Sequence, residues 1–392
     1  MIKILIVTRH MHVGGIQKSL IELLKVLSQD ERYDISLFCC LKRGALLTNI
    51  PSNIKILDEN PYAAVTEISA SDCKKMGIKY ALLRIFASGF TKLFTKRIPV
   101  KIFSHLVGKI GDSYDVVVSY AQPAEDHVFC ALTNEFVLNC TEAEKKIGFV
   151  HSDFANYGGN TTLNRAIYLQ FDNIAAVTES LKQSFVKIMP QIGDRVHTVY
   201  NICDVSLVEK LAEESAVEYD LAKTTFVTVA RLGEEKGHIR CLSAFSRLRD
   251  EGFDFRWHVV GGGEMYDKIK SEIARCKLED FVVLEGEQTN PYRYVKNADY
   301  FLLPSIHEGA GIVFLEAQTL GVSILSTNTL SAQELVGNKN LGYVCENSED
   351  GIYHMLKKSL CNQLGPFNKE KPDCDITKKQ FDKLCSDKLC RE

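Results

Sequence analysis

The fold class this sequence predicts is α/β, with two successive doubly wound parallel sheets facing a central cleft. Three observations predict it. Short β-branched runs alternate with segments of helical periodicity, the pattern of a parallel sheet with helices on both faces. The alternation runs through one series and then begins a second after Asn201. A chain of 392 residues, 45% of them hydrophobic, is long enough for two cores rather than one.

In the first series, strands are expected at 3–8, 34–40, 115–119, 146–150, 173–178 and 196–200. A helix is expected over 15–29, with Ile16, Leu20, Leu23, Leu24 and Leu27 on one side. In the second series, strands at 225–229, 256–260, 281–284, 300–303 and 323–326 are each followed by a helical segment. The crossing falls near 201–204, where Asp204 is placed to cap the next helix. The expected organisation is therefore an N-terminal domain over 1–200, a C-terminal domain over 201–364 and a polar tail over 365–392. That tail holds one more helical segment near 376–389, a candidate to pack back on the first domain. Sheets of this kind bind ligands at the carboxyl ends of their strands.

One segment departs from the alternation. Residues 73–110 hold nine Lys or Arg (Lys74, Lys75, Lys79, Arg84, Lys92, Lys96, Arg97, Lys101 and Lys109) and no acidic residue. Ile78, Leu82, Phe86, Phe90 and Phe94 recur every four residues among them. Two readings stand side by side: a basic amphipathic element against an anionic membrane surface, or a helix packing its apolar stripe on the sheet.

Composition excludes several classes. A net charge of -3 gives no reason to expect nucleic acid as partner. No run reaches the roughly 18 apolar residues of a transmembrane helix, and the short apolar start reads as a strand rather than a signal peptide. The thirteen cysteines are scattered without a CxxC pair, and Cys39, Cys40, Cys130 and Cys241 sit in apolar runs. They read as buried free thiols in a cytoplasmic protein. The one DxD, Asp373-Cys-Asp375, lies in the polar tail with no strand to position it, so no metal site is expected.

Four segments carry chemistry, each where a strand gives way to a loop or helix. Gly14 and Gly15 follow the first strand and open a helix whose N–H groups attract anions, although most Gly-Gly turns are only tight turns. Arg231 and Lys236 follow the strand 225–229, where cations can face a diphosphate, or can pair with Glu234 and Glu235 on a solvated loop. Gly261, Gly262 and Gly263 form another strand-to-helix turn that hints at close approach. The fourth segment decides: Pro304 ends a strand, Glu308, Gly309 and Gly311 form a loop, and Glu316 sits in the helix that follows. Backbone N–H groups at Gly311 and Ile312 can meet phosphate, while the two carboxylates accept from sugar hydroxyls. Carboxylates acting only as dipole partners at a helix start are the blander alternative.

This last segment resembles the Glu-x7-Glu signature of the family 4 retaining glycosyltransferases, which have the GT-B fold of two Rossmann-like domains. The likeness also takes in Gly14-Gly15, His151, Thr178-Glu-Ser, the stretch 200–204, Arg231 with Lys236, and Gly261–Gly263, over roughly 1–360. It implies that Glu316 holds the nucleotide ribose and that Glu308, with the Gly309–Ile312 backbone, contacts the donor sugar. It further implies that Arg231 and Lys236 neutralise the diphosphate, that Gly15 approaches the same phosphates and that His151 contacts the transferred sugar. Arg293 and Gln288 fall near where the family holds the base. The departures are Ala310, where an aromatic is common, and Cys203, where a small residue often stands.

The implied activity is a retaining, metal-independent transfer from a nucleotide-sugar, by family analogy a UDP-sugar. The nucleotide-sugar is a co-substrate and no other cofactor is expected. The acceptor expected is a glycan or lipid-linked intermediate of capsule or lipopolysaccharide synthesis at the inner face of the membrane. A nucleotide-sugar epimerase on the same fold, or an inactive nucleotide-sugar-binding subunit, are the alternatives.

Overall fold

A computed structural model describes residues 1–386. The chain divides into two compact units: residues 1–202 with the C-terminal segment from Asp375, and residues 203–374.

The first unit is built on seven parallel strands: β1 (Ile2–Thr8), β2 (Tyr33–Cys39), β3 (Lys55–Ile56), β4 (Ser113–Ser119), β5 (Glu142–Val150), β6 (Asn173–Ala176) and β7 (Val196–Thr198). Their order across the sheet is β3-β2-β1-β4-β5-β6-β7, and each neighbouring pair is parallel. Consecutive residues Ile4, Leu5, Ile6 and Val7 are all fully buried, so both faces of β1 are covered. Register places Ile4 between Ile35 and Val116. The helix Gly15–Ser28 sets Leu20, Leu23, Leu24 and Leu27 against the core at the i, i+3, i+4, i+7 spacing of one helix face.

The second unit has six strands: β8 (Thr224–Val229), β9 (Phe255–Val260), β10 (Val282–Gly286), β11 (Tyr300–Leu303), β12 (Ser323–Thr327) and β13 (Gly342–Cys345). Their order is β10-β9-β8-β11-β12-β13. One face packs Phe226, Phe245, Trp257, Ile352 and Leu356; the other packs Phe301, Leu303, Phe314 and Ile324. Asp204 caps the helix Val205–Glu213 through the amide of Leu207, as its place in the sequence suggests. In both sheets the strand order reverses at one point, between β1 and β4 and between β8 and β11. The carboxyl ends at such a point are where α/β sheets bind ligands.

Two features differ from the sequence reading. Two strands, β3 and β13, were not anticipated. Both lie at sheet edges and are short, two and four residues, so they carry little alternation to detect. The polar stretch 365–374 belongs to the second unit, tied there by the Asn368 amide to the Asn340 carbonyl and by a 2.6 Å Lys371–Glu209 ion pair. The helix Asp375–Ser386 packs on the first unit, the place for which the tail's helical segment was a candidate. It buries Phe381, Leu384 and Cys385, while buried Lys145 donates to the carbonyls of Leu384 and Cys385 at 3.2 and 2.9 Å. The expected continuation of this helix to 389 lies outside the described residues.

The basic segment 73–110 forms three helices, Ala70–Met76, Ile78–Leu93 and Arg97–Val107. Its apolar row does not pack on the sheet: Ile78, Leu82, Phe86 and Phe94 are exposed and Phe90 half-buried. Two of the nine cations point inward. Arg84 donates to the Phe129 carbonyl, and fully buried Lys96 pairs with Glu135 at 3.1 Å. Of the four cysteines placed in apolar runs, Cys39, Cys40 and Cys241 are buried, and Cys130 is partly exposed.

Candidate active site

In the second unit, the loops after β8 and β11 are joined edge to edge. The Ile306 and His307 amides donate to the Glu235 carbonyl at 2.7 and 3.4 Å. Arg240 holds the other side, donating to the carbonyls of Pro304 and Ser305 at 2.8 and 2.7 Å. This zipper brings Lys236 Nζ to 2.5 Å from Glu308 Oε2, both side chains largely shielded at 19% and 13% exposure. Ser305 Oγ lies 3.5 Å from the same carboxylate oxygen.

Arg231 stands apart from that pair. Its exposed guanidinium donates to Glu235 at 2.7 Å and lies 3.8 Å from Glu264. The partner read from sequence, Glu235, is therefore present, and the expected grouping of Arg231 with Lys236 holds only at the level of one loop.

Gly311 precedes the helix Ile312–Thr319, which has no side-chain cap and no acidic residue in its first turn. The dipole-partner reading of the carboxylates is thus not met: Glu308 is engaged by Lys236, and Glu316 sits further along the helix. Glu316 is buried at 6% exposure and accepts from the Tyr292 hydroxyl at 2.9 Å. Tyr292 was not anticipated, since a contact across 24 residues leaves no trace in local spacing.

The triple glycine 261–263 has a reason within the fold. Gly261 and Gly263 have φ of +150° and +153°, and a Cβ on them would fall 1.9 Å from the Ala230 carbonyl oxygen and 2.6 Å from that of Leu232. These glycines let the β9 turn pass the β8 turn; their close approach is to backbone. Arg293 and Gln288 lie in the same unit, Gln288 donating to the Glu285 carbonyl at 2.7 Å.

In the first unit, Gly14 caps the helix Gly15–Ser28 in extended conformation with no side-chain cap. A Cβ on Gly15 would meet nothing within 4 Å, so no contact among the described residues requires glycine there. His151 follows β5, its ring tilted against Tyr120 at 4.6 Å and stacked on Phe149 at 5.5 Å. Its amide donates to Gln122 Oε1 at 2.9 Å, and its Nε2 and the Gln122 Nε2 are buried without a hydrogen-bond partner among the described residues. Burial pushes the imidazole pKa down to about 3, so it is neutral near pH 7. Behind it, Tyr120 Oη and Ser19 Oγ lie 2.6 Å apart, and Ser19 donates to Asn201 at 2.6 Å. Tyr120, Gln122 and Ser19 were missed; the one signal was that Ser19 lies in the helix Gly15 opens and that Tyr120 and Gln122 follow β4, the strand lying between β1 and β5.

Comparison with known proteins adds to this geometry. Residues 212–363 match the family described as glycosyl transferases group 1. A curated relative from Campylobacter jejuni, named N-acetylgalactosamine-N,N'-diacetylbacillosaminyl-diphospho-undecaprenol 4-alpha-N-acetylgalactosaminyltransferase, is 28% identical over 184 residues, 46% of this chain and 48% of the relative. The chain spans about half the length of the curated relatives it matches first, 48% and 50%. Among solved structures, a glycosyltransferase from Rickettsia africae superposes with a TM-score of 0.65 at 15% identity, covering 99% of both chains. Anabaena HepE in complex with UDP-glucose superposes at 0.63 and 14% identity, covering 98% of this chain and 100% of that one. The fold is therefore that of the GT-B glycosyltransferases, with two Rossmann-like domains. The family match falls within the second unit, whereas a curated relative from Bacillus anthracis, named N-acetyl-alpha-D-glucosaminyl L-malate synthase, is 27% identical over 236 residues, 58% of this chain and 60% of the relative.

Proposed function

With its second unit a member of the group 1 glycosyl transferases, we propose that the chain moves a sugar from a nucleotide-sugar to a glycan or lipid-linked acceptor in surface polysaccharide synthesis. The observation that carries this reading is the Lys236–Glu308 pair, 2.5 Å apart at the switch point of the second sheet and beside an uncapped helix start. Cation, carboxylate and free amides are what a sugar diphosphate needs at one place.

Breaking the sugar–phosphate bond leaves negative charge on the diphosphate while the sugar becomes cationic. Lys236, Arg231 and the amides at Gly309, Gly311 and Ile312 take up that charge in place of a metal. Donor binding draws Lys236 toward phosphate and frees Glu308 for the sugar. Glu316, held by Tyr292, accepts from the ribose hydroxyls. In the first unit, the open space beside Gly15 at the helix start supports the proposed approach of phosphate to Gly14 and Gly15. His151 presents a neutral ring nitrogen to a sugar hydroxyl.

A UDP-sugar is the proposed donor, supported by the UDP-glucose complex of a protein with the same fold. A lipid-linked acceptor is supported by the diphospho-undecaprenol in the name of the Campylobacter relative. The proposed stereochemistry is retention, by a same-face route in which the leaving phosphate takes the acceptor proton. The test is a panel of UDP-, GDP- and ADP-sugars with an acceptor panel, following nucleotide release with EDTA present. Release that requires acceptor and tolerates EDTA supports the reading, and NMR of the first product should show a retained anomer. Turnover of donor without acceptor points to epimerisation, and binding without turnover to an inactive subunit.

A further inference from the structure

The helix Ile78–Leu93 turns its large apolar residues outward. Ile78, Leu82, Ile85, Phe86 and Leu93 are 71%, 61%, 58%, 49% and 79% exposed, and Phe94 and Ile98 continue the row. At 3.6 residues per turn these five helix positions fall within about 100° of arc. The opposite side carries buried Ala81, Ala87 and Thr91, and Arg84 reaching inward to the Phe129 carbonyl. An ordinary surface helix has the reverse arrangement, large residues in and polar residues out. Phe86, Phe90 and Phe94 contact one another in series as tilted ring pairs, with centroids 5.9 and 4.8 Å apart, so the row is a continuous strip.

Charge says what covers this strip. Lys79 and Lys92 are exposed at its two margins, and Arg97 and Lys101 are exposed on the next helix. None of these four takes part in an ion pair among the described residues, whereas Lys75, Lys96 and Lys109 pair with Asp72, Glu135 and Glu142. No acidic residue occurs from 73 to 110. A second copy of this face would meet like charge, while an anionic lipid surface meets opposite charge and takes the apolar strip into its acyl boundary. No described helix is long and apolar enough to cross a membrane, so the fitting geometry lies in the plane of the interface.

We propose that this face docks the first unit on an anionic lipid bilayer, with Ile78, Leu82, Ile85, Phe86, Leu93 and Phe94 inserted and Lys79, Lys92, Arg97 and Lys101 against the lipid phosphates. The docking is independent of the glycosyl-transfer reading, and its test reads binding alone. The full chain is floated with vesicles of phosphatidylcholine, with and without phosphatidylglycerol. Anionic vesicles should bind at least tenfold better, with the advantage lost in high salt. Lys79→Glu with Lys92→Glu should lower anionic binding at least tenfold, since each cation near the surface contributes roughly fivefold. Leu82→Ser with Phe86→Ser should lower it similarly, and because these residues are exposed the thermal midpoint should hold. Equal binding to neutral vesicles, or unchanged binding by both variants, overturns the proposal. So does a dimer in light scattering that Leu82→Ser with Phe86→Ser dissolves, which assigns the face to a second copy.

Discussion

Replacing Lys236 by Ala separates the catalytic contribution of the Lys236–Glu308 pair from its structural one. The two charges lie 2.5 Å apart with side chains only 19% and 13% exposed, so removing the lysine strands a shielded carboxylate. Breaking a fully buried pair costs about 3–5 kcal/mol. With this residual exposure and Ser305 Oγ 3.5 Å away, about 1–2 kcal/mol is expected here. That corresponds to a fall of several degrees in the melting of the second unit. Adding Glu308→Gln removes the stranded charge and should restore most of that stability. Activity should behave oppositely. One lost donor to the departing diphosphate costs about 2.7–4 kcal/mol of barrier, a hundredfold to a thousandfold in kcat, and the double variant should be no better. The assay is acceptor-dependent nucleotide release at saturating donor, paired with thermal melts of all four proteins. If Lys236→Ala transfers sugar within threefold of the parent, Lys236 does not take up the leaving charge. If the double variant regains activity with stability, the pair is structural only.

Other expectations follow from single contacts. Gly15→Ala places its Cβ in open space, so the melting temperature should change little, while KM for the nucleotide-sugar rises at least tenfold if phosphate approaches there. Gly261→Ala should do the reverse and destabilise the second unit by about 2 kcal/mol or more, because its Cβ would lie 1.9 Å from a carbonyl oxygen at φ +150°; urea melts distinguish the two. His151, with its folded pKa lowered to about 3 by burial, is less protonated when folded than unfolded between pH 3 and 6.5. Its contribution is therefore complete above about pH 6.5 and is lost as pH falls, about 2 kcal/mol by pH 5. His151→Phe should flatten the acid limb of urea stability against pH. Lys145→Met leaves the carbonyls of Leu384 and Cys385 without their buried donor and should loosen the C-terminal helix, read as faster amide exchange over 375–386.

Much of the architecture was legible because β1, β4, β8 and β11 are short, strongly β-branched or apolar and end at glycine, proline or polar turns. The edge strands were not, since two residues of β3 give no period to read. Glu308 and Lys236 could be named from their positions after strands, but their meeting depends on the parallel pairing of β8 with β11, a fact of topology. Contacts such as Tyr292–Glu316, or Ser19 with Tyr120 and Asn201, join residues 24 to 182 positions apart and have no local signature. For the helix Ile78–Leu93, the four-residue spacing was visible in the sequence but not its direction. A helix has one apolar face whether it looks at the core or at solvent, and only the small buried residues Ala81 and Ala87 decide which.

Calorimetric titration of UDP into the parent, Glu316→Gln and Lys236→Ala proteins tests most directly that this site grips a nucleotide-sugar. A charged hydrogen bond to the ribose contributes about 1.5–3 kcal/mol, so Glu316→Gln should weaken UDP at least tenfold, and Lys236→Ala should weaken UDP far more than uridine. Equal affinities in all three proteins, or no binding of UDP, GDP or ADP by the parent, would contradict it.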